Sequence, residues 1–233
     1  MADVIYKFLS VENAFRVMEQ HELKVSLVRE LNDIYDCQPI FGPAADESGY
    51  LNRASVEAMV ASAPDIYGVL CFSKRYRSPL LWGHYAEQAK GLALGFDPTR
   101  FAFADKMDVE YREIRPVVKW PVDKVPDESY HQQLMKEHFG VKAREWNYEE
   151  EVRYVVYLGR CMPRTRMYFS EFNPCALREV VVGPRSSVTP VYLRHFLASH
   201  YKGIGVSLYT AHMHPERYEI EGQRFPPNQL FVS

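Results

Sequence analysis

Tyr67-Gly68-Val69-Leu70-Cys71-Phe72-Ser73 is a short apolar run that reads as a strand central to a sheet. Behind it, Ser78-Pro79 opens a helix over Leu80–Ala89, and Gly91-Leu92-Ala93-Leu94-Gly95-Phe96 returns as a strand. Upstream, Val4–Phe8 reads as an opening strand. Ser10 then caps a helix to about His21, with Val11, Ala14, Phe15 and Met18 recurring on one face. Leu23, Val25 and Leu27 alternate with polar residues, the signature of a half-buried strand. Asn32–Tyr50 is rich in Asp, Pro and Gly and reads as a loop, and a helix over Arg53–Ser62 stops before Pro64.

Downstream, strands are expected at Asp108–Ile114, Glu151–Leu158, Arg166–Phe172, Glu179–Val182, Val206–Tyr209 and Arg217–Ile220. Helices are expected at Asp127–His138 and from the Thr189-Pro190 cap to about Tyr201. Strands and helices alternate too irregularly for a doubly wound fold. The expectation is α+β: one mixed α/β domain over residues 1–233, its central, mainly antiparallel sheet whole or split and flanked by helices.

The composition is that of a folded chain, with 47% hydrophobic and 25% charged residues. A formal charge of −2 gives no basic excess for tight, non-specific binding to nucleic acid. Cys37, Cys71, Cys161 and Cys175 form no CxxC pair, so a zinc ribbon or thioredoxin-like site is not expected. No basic-then-apolar leader opens the sequence, and no apolar run reaches the roughly 18 residues that span a bilayer. A cytoplasmic protein with reduced thiols and no membrane partner is the expectation.

Chemistry is densest at Trp146-Asn147-Tyr148-Glu149-Glu150-Glu151-Val152-Arg153. On a strand, Glu149 and Glu151 would share one face while Glu150 takes the other. Two carboxylates beside Trp146 can share a raised pKa or hold a ribose hydroxyl; alternatively they pair with Arg153, Arg144 or Lys142 at a solvated strand end. In Trp82-Gly83-His84-Tyr85 the helical spacing cannot turn all three rings one way. His84 is then an acid/base candidate at a pocket, or a core histidine. His212-Met213-His214 with Glu216 has metal-like spacing but lacks a third ligand, and reads by default as a surface loop. Gly183-Pro184-Arg185-Ser186-Ser187, ahead of a helix, can bind an anion through backbone N–H groups and Arg185 or serve as an ordinary connection.

Six blocks carry a resemblance: Tyr6-Lys7-Phe8, Leu31-Asn32-Asp33-Ile34-Tyr35-Asp36, Cys71-Phe72-Ser73, Leu81-Trp82-Gly83-His84-Tyr85-Ala86, Lys90-Gly91-Leu92-Ala93-Leu94-Gly95-Phe96-Asp97 and Trp146–Arg153. In order and spacing, over residues 4 to 185, they resemble the bacterial domain-of-unknown-function family numbered 2971. Ile34-Tyr35 stand where that family carries Pro-Phe. The resemblance implies a bacterial, cytoplasmic protein and brings no activity with it.

A more distant resemblance is to the ADP-ribosyltransferase fold, through Lys7 on the first strand, Ser73 on a central strand, and Glu149 and Glu151 in an E-x-E opening a late strand. It implies a transferase of bacterial toxin or phage-defence type. NAD would be the co-substrate, the acceptor a protein or nucleic acid, and no metal would be needed. Glu149, Glu151 and His84 would then be catalytic, and Lys7, Ser73, Tyr85, Trp82 and Trp146 would bind the cofactor. Lys7 departs from the planar Arg or His of that pattern, and Lys74 follows Ser73 in place of Thr-Ser. Two alternatives stand beside it. One is a non-catalytic nucleotide- or nucleic-acid-binding module using Trp82, Tyr85 and Trp146. The other is a metal-dependent hydrolase using Asp33, Asp36, His84 and the glutamates.

Overall fold

The computed structural model describes residues 3–41, 53–102, 105–118 and 128–226. The elements begin with β1 (Ile5–Leu9), α1 (Val11–Gln20), β2 (Glu22–Leu27), β3 (Ile40–Phe41) and α2 (Arg53–Ile66). Next come β4 (Tyr67–Ser73), α3 (Pro79–Tyr85), β5 (Leu92–Phe96), β6 (Asp105–Asp108), β7 (Glu110–Arg112) and β8 (Val117–Val118). Then follow α4 (Glu128–Phe139), β9 (Val141–Ala143), β10 (Glu151–Tyr157), β11 (Met162–Arg164) and β12 (Met167–Glu171). The last are β13 (Leu177–Val182), α5 (Pro190–His200), β14 (Ser207–Met213) and β15 (Ile220–Arg224). The fold class is α+β, with helices and a mainly antiparallel mixed sheet.

The chain divides into two compact units, residues 1–23, 72–102 and 171–233, and residues 24–71 and 103–170. In the first unit, β1 pairs antiparallel with β5, and β5 with β13. Parallel pairing of β13 with β14 follows from the crossover through α5, and β15 returns antiparallel to β14. Ser73 at the end of β4 pairs with Tyr6 of β1. The sheet of this unit carries a dry core that includes Phe8, Leu92, Ala93, Leu94, Phe96, Val180 and Val181. Ser10 Oγ accepts from Asn13 N–H and starts α1; His21, at φ 55°, ends it in the left-handed conformation. Thr189 Oγ1 likewise accepts from Tyr192 N–H at the start of α5. Phe15 of α1 meets Phe196 of α5 edge to face at 4.8 Å.

In the second unit, Ser26 and Leu27 of β2 pair antiparallel with Val69 and Gly68 of β4. β10 pairs with β4, and also with β6. The antiparallel pair β11 with β12 and two short parallel pairs, β3 with β8 and β7 with β9, complete it. Val28, Cys37, Val69, Phe139 and Val155 form one of its core clusters.

Several boundaries differ from the expectation. α2 runs through Pro64 to Ile66 where a stop before Pro64 was expected. The single strand expected at Asp108–Ile114 is two, β6 and β7, because Val109 N–H bonds Glu151 and Glu110 N–H turns to Gly140. The strand expected at Arg217–Ile220 starts only at Ile220; His214 organises the preceding residues into a turn. The helix expected to reach Ala89 stops at Tyr85, in a turn that shapes the site described next. Among the described residues no helix is long and apolar enough to cross a membrane.

Candidate functional site

Within the first unit, three segments singled out in the sequence converge on one groove of about 750 Å³. The first is α3. Trp82 is buried there, its indole N–H donating to the Tyr76 carbonyl at 2.6 Å and its ring meeting Phe8 edge to face at 5.1 Å. His84 is exposed and Tyr85 half-buried, so the three rings diverge as the helical spacing requires.

The chain leaves α3 through Glu87, Gln88 and Ala89 at φ 50°, 56° and 69°. Three successive non-glycine residues in the left-handed region are costly, about 1–2 kcal/mol each, and persist only where their surroundings hold them. Here Ala89 N–H bonds the Trp82 carbonyl at 2.9 Å and Gly91 N–H that of Ala86 at 2.8 Å. The same turn clamps the second segment. Arg185 N–H donates to the Ala89 carbonyl and Gly183 N–H to that of Gly91, both at 3.0 Å. Residue 183 must be glycine for this approach, since a Cβ there would lie 2.5 Å from the Ala89 oxygen and 2.6 Å from the Gly91 oxygen.

The third segment is the turn between β14 and β15. His214 Nδ1 accepts from Glu216 N–H and Arg217 N–H, each at 3.0 Å, and its Nε2 faces Glu221 at 3.6 Å. With Nδ1 accepting, the ring proton belongs on Nε2. His214 is thus occupied in shaping the turn, and His212 Nε2 lies 3.1 Å from Thr210 Oγ1. Among the described residues no three His, Cys, Asp or Glu side chains gather into a metal-binding group.

Aromatic and apolar surface dominates the groove, with Trp82 as one wall and Met213 and Tyr218 at the rim. Tyr218 is fully exposed and Met213 is 76% exposed. Arg217 is neutralised by Glu219 at 3.3 Å and Glu221 at 3.5 Å. Arg185 is exposed, its backbone fixed by the turn, and it supplies a positive charge to the lining. An exposed aromatic ring and an exposed guanidinium around a pocket of this volume suit a flat, anion-bearing small molecule. Tyr218 and Gln88 had not been singled out from the sequence. The Pro215-Glu216-Arg217-Tyr218 run would have pointed to them as a proline-led turn bearing an aromatic tip.

The carboxylates of the E-x-E segment lie in the second unit and are committed to ion pairs. Glu149 ends a 3-10 turn, Arg144–Glu149, and Glu150 at φ 42° turns the chain into β10. The two glutamates therefore do not alternate along one strand, yet both reach Lys142 Nζ, Glu149 at 2.5 Å and Glu151 at 3.3 Å. Arg153, with no exposed surface, donates to Glu151 through Nε at 2.7 Å and to both oxygens of Asp36 at 2.7 and 2.6 Å. Lys142 Nζ also sits 4.8 Å from the centre of the Trp146 ring. Burial pushes the Glu151 carboxyl up, but Arg153 and Lys142 outweigh it and hold it down at about 2. The expected solvated strand end is a buried network. Glu151 stays ionised, and engaging a ribose would require breaking a pair. Asp33 is also buried, while Asn32 is exposed.

Lys7 and Ser73 both belong to the first unit. Ser73 pairs with Tyr6, so it shares that residue's face, whereas Lys7 lies over the ring of Phe72 at 5.7 Å. The two side chains leave the sheet on opposite faces and do not converge on one ligand. Ser73 is buried, with Oγ donating to the Arg75 carbonyl at 2.8 Å.

Comparisons with protein-family models, curated proteins and solved structures found no match.

Proposed function

We propose that this chain is a nucleotide-binding module whose ligand lies in the groove of the first unit. The convergence of the Trp82 helix, the Arg185 loop and the His214–Tyr218 turn on one nucleotide-sized groove carries this reading. Arg185 takes a phosphate by charge-assisted hydrogen bonding, and Tyr218 closes over the base. The strained turn at Glu87–Ala89 fixes the backbone of the Arg185 loop before a ligand arrives, which lowers the ordering cost of binding.

Calorimetric titration with ADP-ribose, NAD, ATP and uncharged adenosine tests this. Arg185→Ala is expected to weaken the phosphate-bearing ligands about tenfold and leave adenosine unchanged. Tyr218→Ala is expected to weaken all four by about tenfold, the scale of one lost base stack. Absence of saturable binding, or binding indifferent to both substitutions, would remove the proposal. Nicotinamide release from NAD that disappears in Glu151→Gln would put the transferase reading in its place.

A further inference from the structure

A second cavity in the first unit, about 430 Å³, opens where α5 hands the chain to β14. Its walls are set by local geometry. Tyr201 N–H bonds the Leu197 carbonyl at 2.8 Å, closing α5. Ile204 N–H returns to the Tyr201 carbonyl at 2.9 Å, and Gly203 at φ 79° supplies the left-handed step between them. Phe225 N–H bonds the Leu208 carbonyl at 2.8 Å and brings the end of β15 against the start of β14.

The lining has an unusual charge pattern. Arg194, Lys202 and Arg224 all contribute, and among the described residues no acidic side chain lines the cavity. Arg194 stacks over the Phe225 ring at 4.3 Å and donates to the Pro226 carbonyl, while Arg224 donates to Ser207 Oγ at 3.4 Å. Beneath these cations the wall is apolar, formed by Leu197, Leu208 and Phe225. Tyr201, 2% exposed, also lines the cavity, and its buried hydroxyl has no hydrogen-bond partner among the described residues. The carbonyl end of α5 opposes an anion with about half an elementary charge, against three full positive charges.

From this pattern we infer that the cavity binds a small organic anion: a phosphate ester or carboxylate held by Lys202 and Arg224, with its apolar body against Leu197 and Phe225. The site is independent of the groove, because the two share no lining residue.

Titration of the full chain with phenyl phosphate, benzoate, inorganic phosphate and phenol separates the contributions. Phenyl phosphate or benzoate is expected to bind, whichever is tighter identifying the anionic group, with phenol and inorganic phosphate each weaker by about tenfold or more. Lys202→Gln and Arg224→Gln should each weaken the organic anion about tenfold. Both residues are exposed, so these variants are expected to fold, and far-ultraviolet circular dichroism checks that. Arg185→Ala, which removes the cation of the groove, should leave this affinity unchanged. No heat from either organic anion, or unaltered affinity in both glutamine variants, overturns the inference. So does a loss that follows Arg185→Ala alone, which would place the anion in the groove.

Discussion

Removing the guanidinium of Arg153 would leave three buried carboxylates, Asp36, Glu149 and Glu151, to the single ammonium of Lys142. A buried ion pair is worth little net, since desolvation offsets attraction, but one unpartnered member is expensive. Arg153→Leu is therefore expected to cost about 3–5 kcal/mol in unfolding free energy, read from urea denaturation at pH 7. Arg153→Lys should recover only part, because an ammonium cannot reproduce the fork that grips two oxygens of Asp36 and both of Glu151. A loss below about 1 kcal/mol would mean that water reaches the cluster. At this scale the sequence was informative about residue type. It singled out Glu149 and Glu151 and offered pairing with Arg153, Arg144 or Lys142 as one of two readings. It had no means of showing that Asp36, 117 residues away along the chain from Arg153, closes the network.

The turn that ends α3 is the element on which the groove depends. Glu87, Gln88 and Ala89 hold a conformation that glycine adopts freely, yet none of them is glycine. Gln88→Gly is expected to raise stability by about 0.5–1 kcal/mol by removing Cβ strain. The same change should weaken groove ligands severalfold, because Arg185 and Gly183 are aligned through this turn. Paired thermal melts and ligand titrations decide the matter; lower stability in Gln88→Gly would show that the turn is unstrained. Helical periodicity alone extended α3 to Ala89. Nothing local marks the stop at Tyr85, because the hydrogen bonds that turn the chain come partly from residues 183 and 185.

For the whole molecule, acid sensitivity follows from two groups in the second unit. His138 is 4% exposed with neither ring nitrogen hydrogen-bonded among the described residues, and burial lowers its pKa from 6.5 to about 4, with Asp36 opposing in part. Because the folded value is depressed, the unfolded chain takes up the proton first. His138 thus contributes stability that is present above pH 6.5 and lost as pH falls toward 4. Glu151, lowered from 4.5 to about 2, acts in the same direction in a lower window, between pH 4.5 and 2. Urea midpoints should fall in two stages, the first worth roughly 3 kcal/mol. His138→Leu should shrink that first stage and leave the second. It will not abolish it, since burial and His200 also lower the pKa of His21. A midpoint flat from pH 7 to 4.5 in the unsubstituted protein would contradict the burial of His138.

By itself the sequence determined the class of fold and most of its elements, because strand alternation, helix caps at Ser10 and Thr189, and apolar runs such as Val69–Phe72 are local properties read from neighbours. It also marked Trp82, Arg185 and His214, since indole, guanidinium and imidazole carry their chemistry wherever they fall. The tertiary structure decided which of them meet. It turned Lys7 and Ser73 to opposite faces through the single register pair Tyr6 with Ser73, and it spent Glu149 and Glu151 on Lys142 and Arg153. It gathered the groove from residues about a hundred positions apart. The physical reason is that a local pattern fixes backbone conformation, whereas a site is fixed by register and close approach, and these depend on long-range pairing.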